Sequence, residues 1–106
     1  MAKESSFQSK VIREIKDIFP DCLILKNDAC YMQGVPDILV LKDDKWAALE
    51  CKREAKAKHR PNQDYYVDKM NSMSFAAFIY PENEKEILNG LQRALQSGRK
   101  TRVSKS

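Results

Sequence analysis

Asp37, Glu50 and Lys52 are the residues of this 106-residue chain whose types and spacing could do chemistry. Asp37 opens the apolar run Ile38-Leu39-Val40-Leu41. Glu50 and Lys52 close another run, Trp46 to Lys52, and only Lys42-Asp43-Asp44-Lys45 lies between the two. Strands joined so briefly form an antiparallel hairpin. Side chains alternate along a strand, so Glu50 and Lys52 share one face while Leu49 and Cys51 share the other. Pairing about the Asp43-Asp44 turn sets Asp37 roughly opposite Glu50. Two carboxylates that close repel unless a cation joins them, and a site of oxygens with positions left for water suits magnesium or manganese rather than zinc. A lysine beside such an ion orients or deprotonates an attacking water, or stabilises charge building on phosphorus. The implied chemistry is phosphodiester hydrolysis. Spacing alone leaves a second reading open, in which Asp37 caps the turn after Pro36 and Glu50 and Lys52 are same-face charges on a half-exposed strand.

The elements that must position these residues follow from periodicity. Ser5-Ser6-Phe7-Gln8 fits a capping box, and Phe7, Val11, Ile15 and Ile18 recur at helical spacing until Pro20, which predicts a helix over 6–19. A short strand over 22–26 leads into a polar loop and the turn Gly34-Val35-Pro36. The hairpin strands cover 37–41 and 46–52. After a basic stretch from Arg53 to Arg60, Pro61 opens a second helix, with Gln63, Tyr66, Val67, Met70 and Met73 along one side. Phe75 to Tyr80 is apolar throughout, the pattern of an internal strand. Asn83 with Glu86 starts a last helix, Ile87, Leu88, Leu91 and Leu95 form its stripe, and Gly98 is its expected stop. The predicted order is αβββαβα, an α/β fold with a central mixed sheet flanked by helices.

Hydrophobic residues at 42% and charged residues at 32% are ordinary globular figures that exclude a disordered, collagen-like or long coiled-coil chain. The length fits one domain over 1–106, with residues 1–4 and 99–106 expected as flexible tails. Lys and Arg outnumber Asp and Glu by 19 to 15, a net +4 that suits a polyanionic partner. Three cysteines without Cys-x-x-Cys spacing, and a single histidine, do not make a zinc site and favour a reduced compartment. The longest apolar run, Phe75 to Tyr80, is far too short to span a bilayer. The expectation is a soluble, cytoplasmic protein with no membrane partner.

Gly34-Val35-Pro36-Asp37, the apolar strand behind it, Leu49-Glu50-Cys51-Lys52 and the helical Gln63 together resemble the PD-(D/E)XK nuclease superfamily. The resemblance runs from about Phe7 to Tyr80. Within the superfamily it is to the VRR-NUC branch of virus-type replication and repair nucleases, similar to Holliday-junction resolvases. It implies a restriction-endonuclease-like core and a magnesium- or manganese-dependent DNA endonuclease acting on branched or junction DNA in replication, repair or recombination. It also implies roles residue by residue. Asp37 and Glu50 would bind the metal with the Cys51 backbone carbonyl, Lys52 would serve the nucleophile, and Gln63 would support the site. An acidic residue on the first helix often joins such sites, and Glu14, at the edge of the apolar stripe, fits that place. The chain departs from the family in carrying Ser72-Met73-Ser74 where a glycine commonly precedes the last core strand. A nucleic-acid-binding module that keeps the fold and cuts nothing is the alternative.

Arg53, Lys56, Lys58 and Arg60 would flank the cleft and contact DNA phosphates, and Tyr65 or Tyr66 could stack on a base or sugar. Cys51 reads as a small core residue, Trp46 as packing, Asp43 and Asp44 as turn formers, and His59 as a surface loop residue. Cutting both strands of a duplex or junction needs two sites, hence an expected homodimer, with Met70, Met73, Tyr31 and Met32 as candidate contacts.

Overall fold

Phe7, Val11 and Ile15 stand one turn apart on helix α1 (Glu4–Ile18), and all three are buried. In the computed structural model, which describes residues 4–27 and 32–105 and the side chains of 5–27 and 32–96, this stripe packs into the main core. Each such side chain contributes about 1.5–3 kcal/mol through its removal from water. The helix is already formed at Glu4, so Ser5 and Ser6 lie inside it rather than at its cap. Pro20 ends it, and a turn in which the Cys22 amide donates to the Phe19 carbonyl redirects the chain.

Three strands follow: β1 (Leu23–Lys26), β2 (Ile38–Lys42) and β3 (Lys45–Cys51), then helix α2 (Gln63–Met73), strand β4 (Phe75–Ile79) and helix α3 (Glu84–Lys105). The sheet order is β1-β2-β3-β4, antiparallel for the first two pairs and parallel between β3 and β4, so the sheet is mixed. Asp43, with φ 56°, takes the left-handed conformation that lets the β2–β3 hairpin close so tightly, a backbone region Asp tolerates better than most residues. Alternation then sorts the strands. Ile38, Val40, Ala47, Leu49, Cys51 and Ile79 face α1 and α3, whereas Ala48 and Ala76 meet Val67 of α2 on the opposite face, with Leu39, Trp46 and Phe78 against them.

Three expectations need correcting. β4 is an edge strand, not an internal one; its continuous apolarity comes from helices covering both faces, with Ala76 and Phe78 under α2 and Phe75, Ala77 and Ile79 in the main core. α2 begins at Gln63 rather than Pro61, because Asn62 has φ 73° and a left-handed residue cannot continue a right-handed helix. Met73, the last residue of α2, is 66% exposed, while Met70 packs against the cluster of Ala48, Val67 and Ala76. α3 does not stop at Gly98 but runs to Lys105, seven residues further.

The departure at Ser72-Met73-Ser74 has a local solution. Ser74, with φ −150°, donates its amide to the Met70 carbonyl and its hydroxyl to the Trp46 carbonyl, which ties the end of α2 to the start of β3 without a glycine. Cys30, Tyr31 and the side chains of Arg99, Lys100, Arg102 and Lys105 lie outside the described residues. Among the described residues no helix is long and apolar enough to cross a membrane.

Candidate active site

The β2–β3 register, with Ile38 opposite Leu49, carries one step back to Asp37 opposite Glu50. Asp37 is held there from both sides. The Asn27 amide donates to the Asp37 carbonyl at 2.9 Å and its side chain to the Pro36 carbonyl at 2.7 Å, while the Cys51 amide donates to Asp37 Oδ1 at 3.2 Å. Two left-handed residues lock the approach. Gly34, with φ +94°, packs so closely on Asn62 that a Cβ added at Gly34 would come within 2.6 Å of the Asn62 Cβ and 2.8 Å of its backbone carbon. The turn before β2 is thereby pressed onto the start of α2. Gly34→Ala is expected to force these backbones apart and misplace Asp37 and Gln63, lowering any turnover about 10-fold or more while far-ultraviolet circular dichroism stays native.

Glu50, Lys52 and Gln63 are 5%, 5% and 7% exposed, unusual burial for such groups, and each answers another's polarity. Gln63 Nε2 donates to Glu50 Oε2 at 2.9 Å, and Lys52 Nζ donates to Gln63 Oε1 at 2.8 Å. Lys52 Nζ also donates to the Lys58 carbonyl at 3.1 Å and stands 4.0 Å from Glu50 Oε2. The Arg60 amide donates to the same Gln63 oxygen at 2.8 Å. Gln63 thus bridges the buried anion and the buried cation. A hydrophobic replacement of that amide would take one hydrogen bond from each, a loss worth about 1–3 kcal/mol per buried group.

These side chains line a cleft of about 330 Å³ together with Asn27, Gln33, Gly34, Val35, Arg60 and Pro61. Asp37, Glu50, Lys52 and Gln63 therefore meet in one place, drawn from the start of β2, the end of β3 and the start of α2. Cys51 turns its side chain to the opposite, fully buried face, as alternation requires. Among the described residues no group of three or more His, Cys, Asp or Glu side chains gathers as a metal cage. Asp37 and Glu50 could hold an ion only in the manner of magnesium, which takes one or two carboxylates and fills its remaining positions with water and substrate oxygens. Asn27, read in the sequence as an ordinary loop residue, had no signal that could mark it as the clamp on Asp37.

Glu14 is not brought to this cleft. It lines a separate groove with Lys10, Asp17, Ile18 and Glu84, and the two share no lining residue. Lys10 Nζ lies 3.3 Å from Glu14 and 2.8 Å from Glu84, which ties α1 to α3. Glu14 Oε1 is buried with no N–H or hydroxyl donor, and its contact with Glu84 is one that two carboxyls make only by sharing a proton. That contact, and then burial, push the Glu14 carboxyl up. Burial opposes the ionisation of Glu84 too, but the hydrogen bonds from Glu14 and Lys10 outweigh it and hold Glu84 below the usual carboxylate range. A raised folded-state carboxyl favours the fold at low pH and loses that contribution as pH rises through it. Glu14→Gln, which supplies a permanent N–H to Glu84, is therefore expected to raise the melting temperature at pH 7. The gain should vanish in acid, where the Glu14 carboxyl of the parent is itself protonated.

Arg53, Lys56, Lys58 and Arg60 are all exposed on the loop that joins β3 to α2, beside the cleft. Tyr65 is exposed and meets Tyr66 edge to face, with ring centroids 5.0 Å apart. His59 is better fixed than a surface loop residue would be: its ring stacks on Phe78 with centroids 4.1 Å apart, and Nδ1 lies 2.7 Å from Asp64 Oδ1. No family model, curated protein or solved structure matches the chain.

Proposed function

We propose that the chain is a metal-dependent DNA endonuclease with a restriction-endonuclease-like core, of the PD-(D/E)XK type and similar to its VRR-NUC branch. The observation that carries this reading is the convergence of Asp37, Glu50, Lys52 and Gln63 in a single cleft, joined through the Gln63 amide. Two opposed carboxylates with a buried lysine 4.0 Å from one of them are unfavourable as mere structure. Isolated buried charges cost several kcal/mol each, and well-packed apolar residues would serve stability as well or better.

Asp37 and Glu50, with the Cys51 carbonyl, would hold magnesium or manganese. When bound, the ion supplies positive charge that polarises a phosphoryl oxygen. Lys52 does the rest of the electrostatic work: its ammonium, fixed by Gln63 Oε1 and the Lys58 carbonyl, stabilises negative charge gathering at phosphorus and orients the attacking water. Gln63 keeps Glu50 and Lys52 from collapsing into a closed pair. Arg53, Lys56, Lys58 and Arg60 hold the strand through its phosphates, contacts that fix register and carry no sequence information. Such contacts read backbone shape, which favours branched or junction DNA, with a homodimer for paired cuts.

The test is a cleavage panel. Plasmid, linear duplex, flap and four-way junction are incubated with magnesium, with manganese and with chelator. Metal-dependent cutting, fastest on branched DNA, is expected. Tight binding without cutting under any metal would overturn the enzyme and leave the binding module.

A further inference from the structure

A second hollow, of about 450 Å³, lies under the loop that joins β3 to α2. Its lining holds four cationic side chains, Lys52, Arg53, Lys58 and Arg60, together with His59, and no carboxylate. Lys52, Arg60 and Pro61 also line the cleft of Asp37 and Glu50, so the two hollows share a wall. Four like charges around one cavity repel one another and raise a positive potential inside it, a field that an anion would relieve.

The loop that makes this cavity is pinned along its length. The Ala55 amide donates to Glu82 Oε1, the Ala57 amide to the Glu54 carbonyl, Lys52 Nζ to the Lys58 carbonyl, and the Arg60 amide to Gln63 Oε1. His59, though exposed on one side, is held at two points. Its ring lies 21° from the plane of Phe78, and Asp64 takes Nδ1. With one face on an aromatic ring and one nitrogen on a carboxylate, Nδ1 is set as a donor and the ring rotation is fixed, and Nε2 is the ring's other polar atom. Phe78 pairs with Glu50 in the β3–β4 register, so the histidine is anchored beside the strand position that carries a candidate ligand.

We propose that this hollow binds a phosphate group of a nucleic-acid strand, next to the phosphate held at Asp37 and Glu50, with Arg53, Lys58 and Arg60 supplying charge and His59 Nε2 a hydrogen bond. The choice of a nucleic-acid phosphate rests on the nuclease reading; the anion site itself rests on the cavity. Asp64 accepts the Nδ1 proton and stops the ring from rotating away, so Nε2 meets the bound oxygen as the second N–H donor of an imidazolium. The subsite gives the cleft a second point of hold on the strand, which sets the line of the backbone across Asp37 and Glu50.

The chain has one histidine, so its ring signals in a proton–nitrogen correlation spectrum belong to His59 without assignment. Metal-free protein is titrated with inorganic phosphate at fixed pH and ionic strength, with sodium chloride as the control. A saturable shift of the Nε2 resonance is expected, and Arg53→Gln combined with Lys58→Gln should weaken its midpoint at least about fivefold. The double variant's phosphate-free His59 spectrum reports that the loop is still formed. Short oligodeoxynucleotides with and without a 5′-phosphate then separate the sources: equal shifts assign an internal phosphodiester, a shift confined to the phosphorylated strand a terminal one. No saturable shift beyond the chloride control, or one untouched in the double variant, would overturn the subsite. Neither metal nor turnover enters the measurement. A shift without cleavage removes the nuclease and keeps the anion site, whereas cleavage without a shift removes the anion site alone.

Discussion

Glu50→Gln and Asp37→Asn are each expected to lower metal-dependent cleavage by about 10³-fold or more, several kcal/mol of transition-state stabilisation, with the fold retained. The fold should survive because both replacements are isosteric and keep an acceptor. An amide oxygen at position 50 still takes the Gln63 Nε2 proton that Glu50 Oε2 accepts at 2.9 Å, and one at position 37 still takes the Cys51 amide. What each variant loses is one negative charge out of two. A site of two carboxylates cannot spare it, since magnesium dehydrates reluctantly and neutral oxygens do not replace a carboxylate. Chelator should mimic both variants; the Asp37→Asn melting curve should overlay the parent's, whereas Glu50→Gln, which removes the anion 4.0 Å from the buried Lys52, should still fold but melt lower. Full activity of Glu50→Gln in magnesium would remove the nuclease assignment from this cleft.

Why Asp37 and Glu50 could be paired on paper while other features could not is a matter of range. The hairpin turn at Asp43 and Asp44 leaves little freedom in register, and alternation fixes faces, so a local rule was enough to oppose the two carboxylates and to send Cys51 to the far side. Gln63 entered only through the resemblance, because its contact with Glu50 joins residues 13 apart across a loop with no periodicity. The edge position of β4 was illegible for a different reason. Apolarity reports coverage, and β4 is covered by α2 and by the main core instead of by a fifth strand. Pro61 favoured an early helix start on its own preference for the first helical position, yet the left-handed Asn62 beside Gly34 overrode it. The overriding contact is between residues 28 apart, and it is the one that brings Asp37 to Gln63. Glu14 illustrates the converse. Its edge position on α1 was compatible with the cleft, but a stripe leaves two flanks, and the flank that holds Glu14 faces Glu84.

Lys52→Ala is expected to lower the turnover number by about 10² or more while the affinity for DNA, measured with calcium in place of magnesium, changes less than about threefold. The distinction matters because Lys52 lines both hollows and could be read as one more phosphate contact. Its burial argues otherwise. At 5% exposure, with Nζ 2.8 Å from Gln63 Oε1 and 3.1 Å from the Lys58 carbonyl, the ammonium has already left bulk water and is oriented by two fixed acceptors. Such a charge needs no reorganisation when negative charge builds at phosphorus, which is where preorganised cations contribute most, whereas a ground-state phosphate contact is served as well by the exposed Arg53 or Lys58. Alanine also leaves the buried Glu50 without the cation 4.0 Å away, so some loss of stability is expected and the melting temperature must be followed in parallel. Lys52→Arg resolves the ambiguity. It restores the positive charge and hence the fold, but its planar fork cannot repeat the compact geometry of an ammonium between the Gln63 and Lys58 oxygens, so turnover should remain depressed by at least about tenfold. A turnover number that recovers fully in Lys52→Arg, or an affinity that falls in step with turnover in Lys52→Ala, would make Lys52 a phosphate-positioning residue and leave the nucleophile to the water and the ion alone.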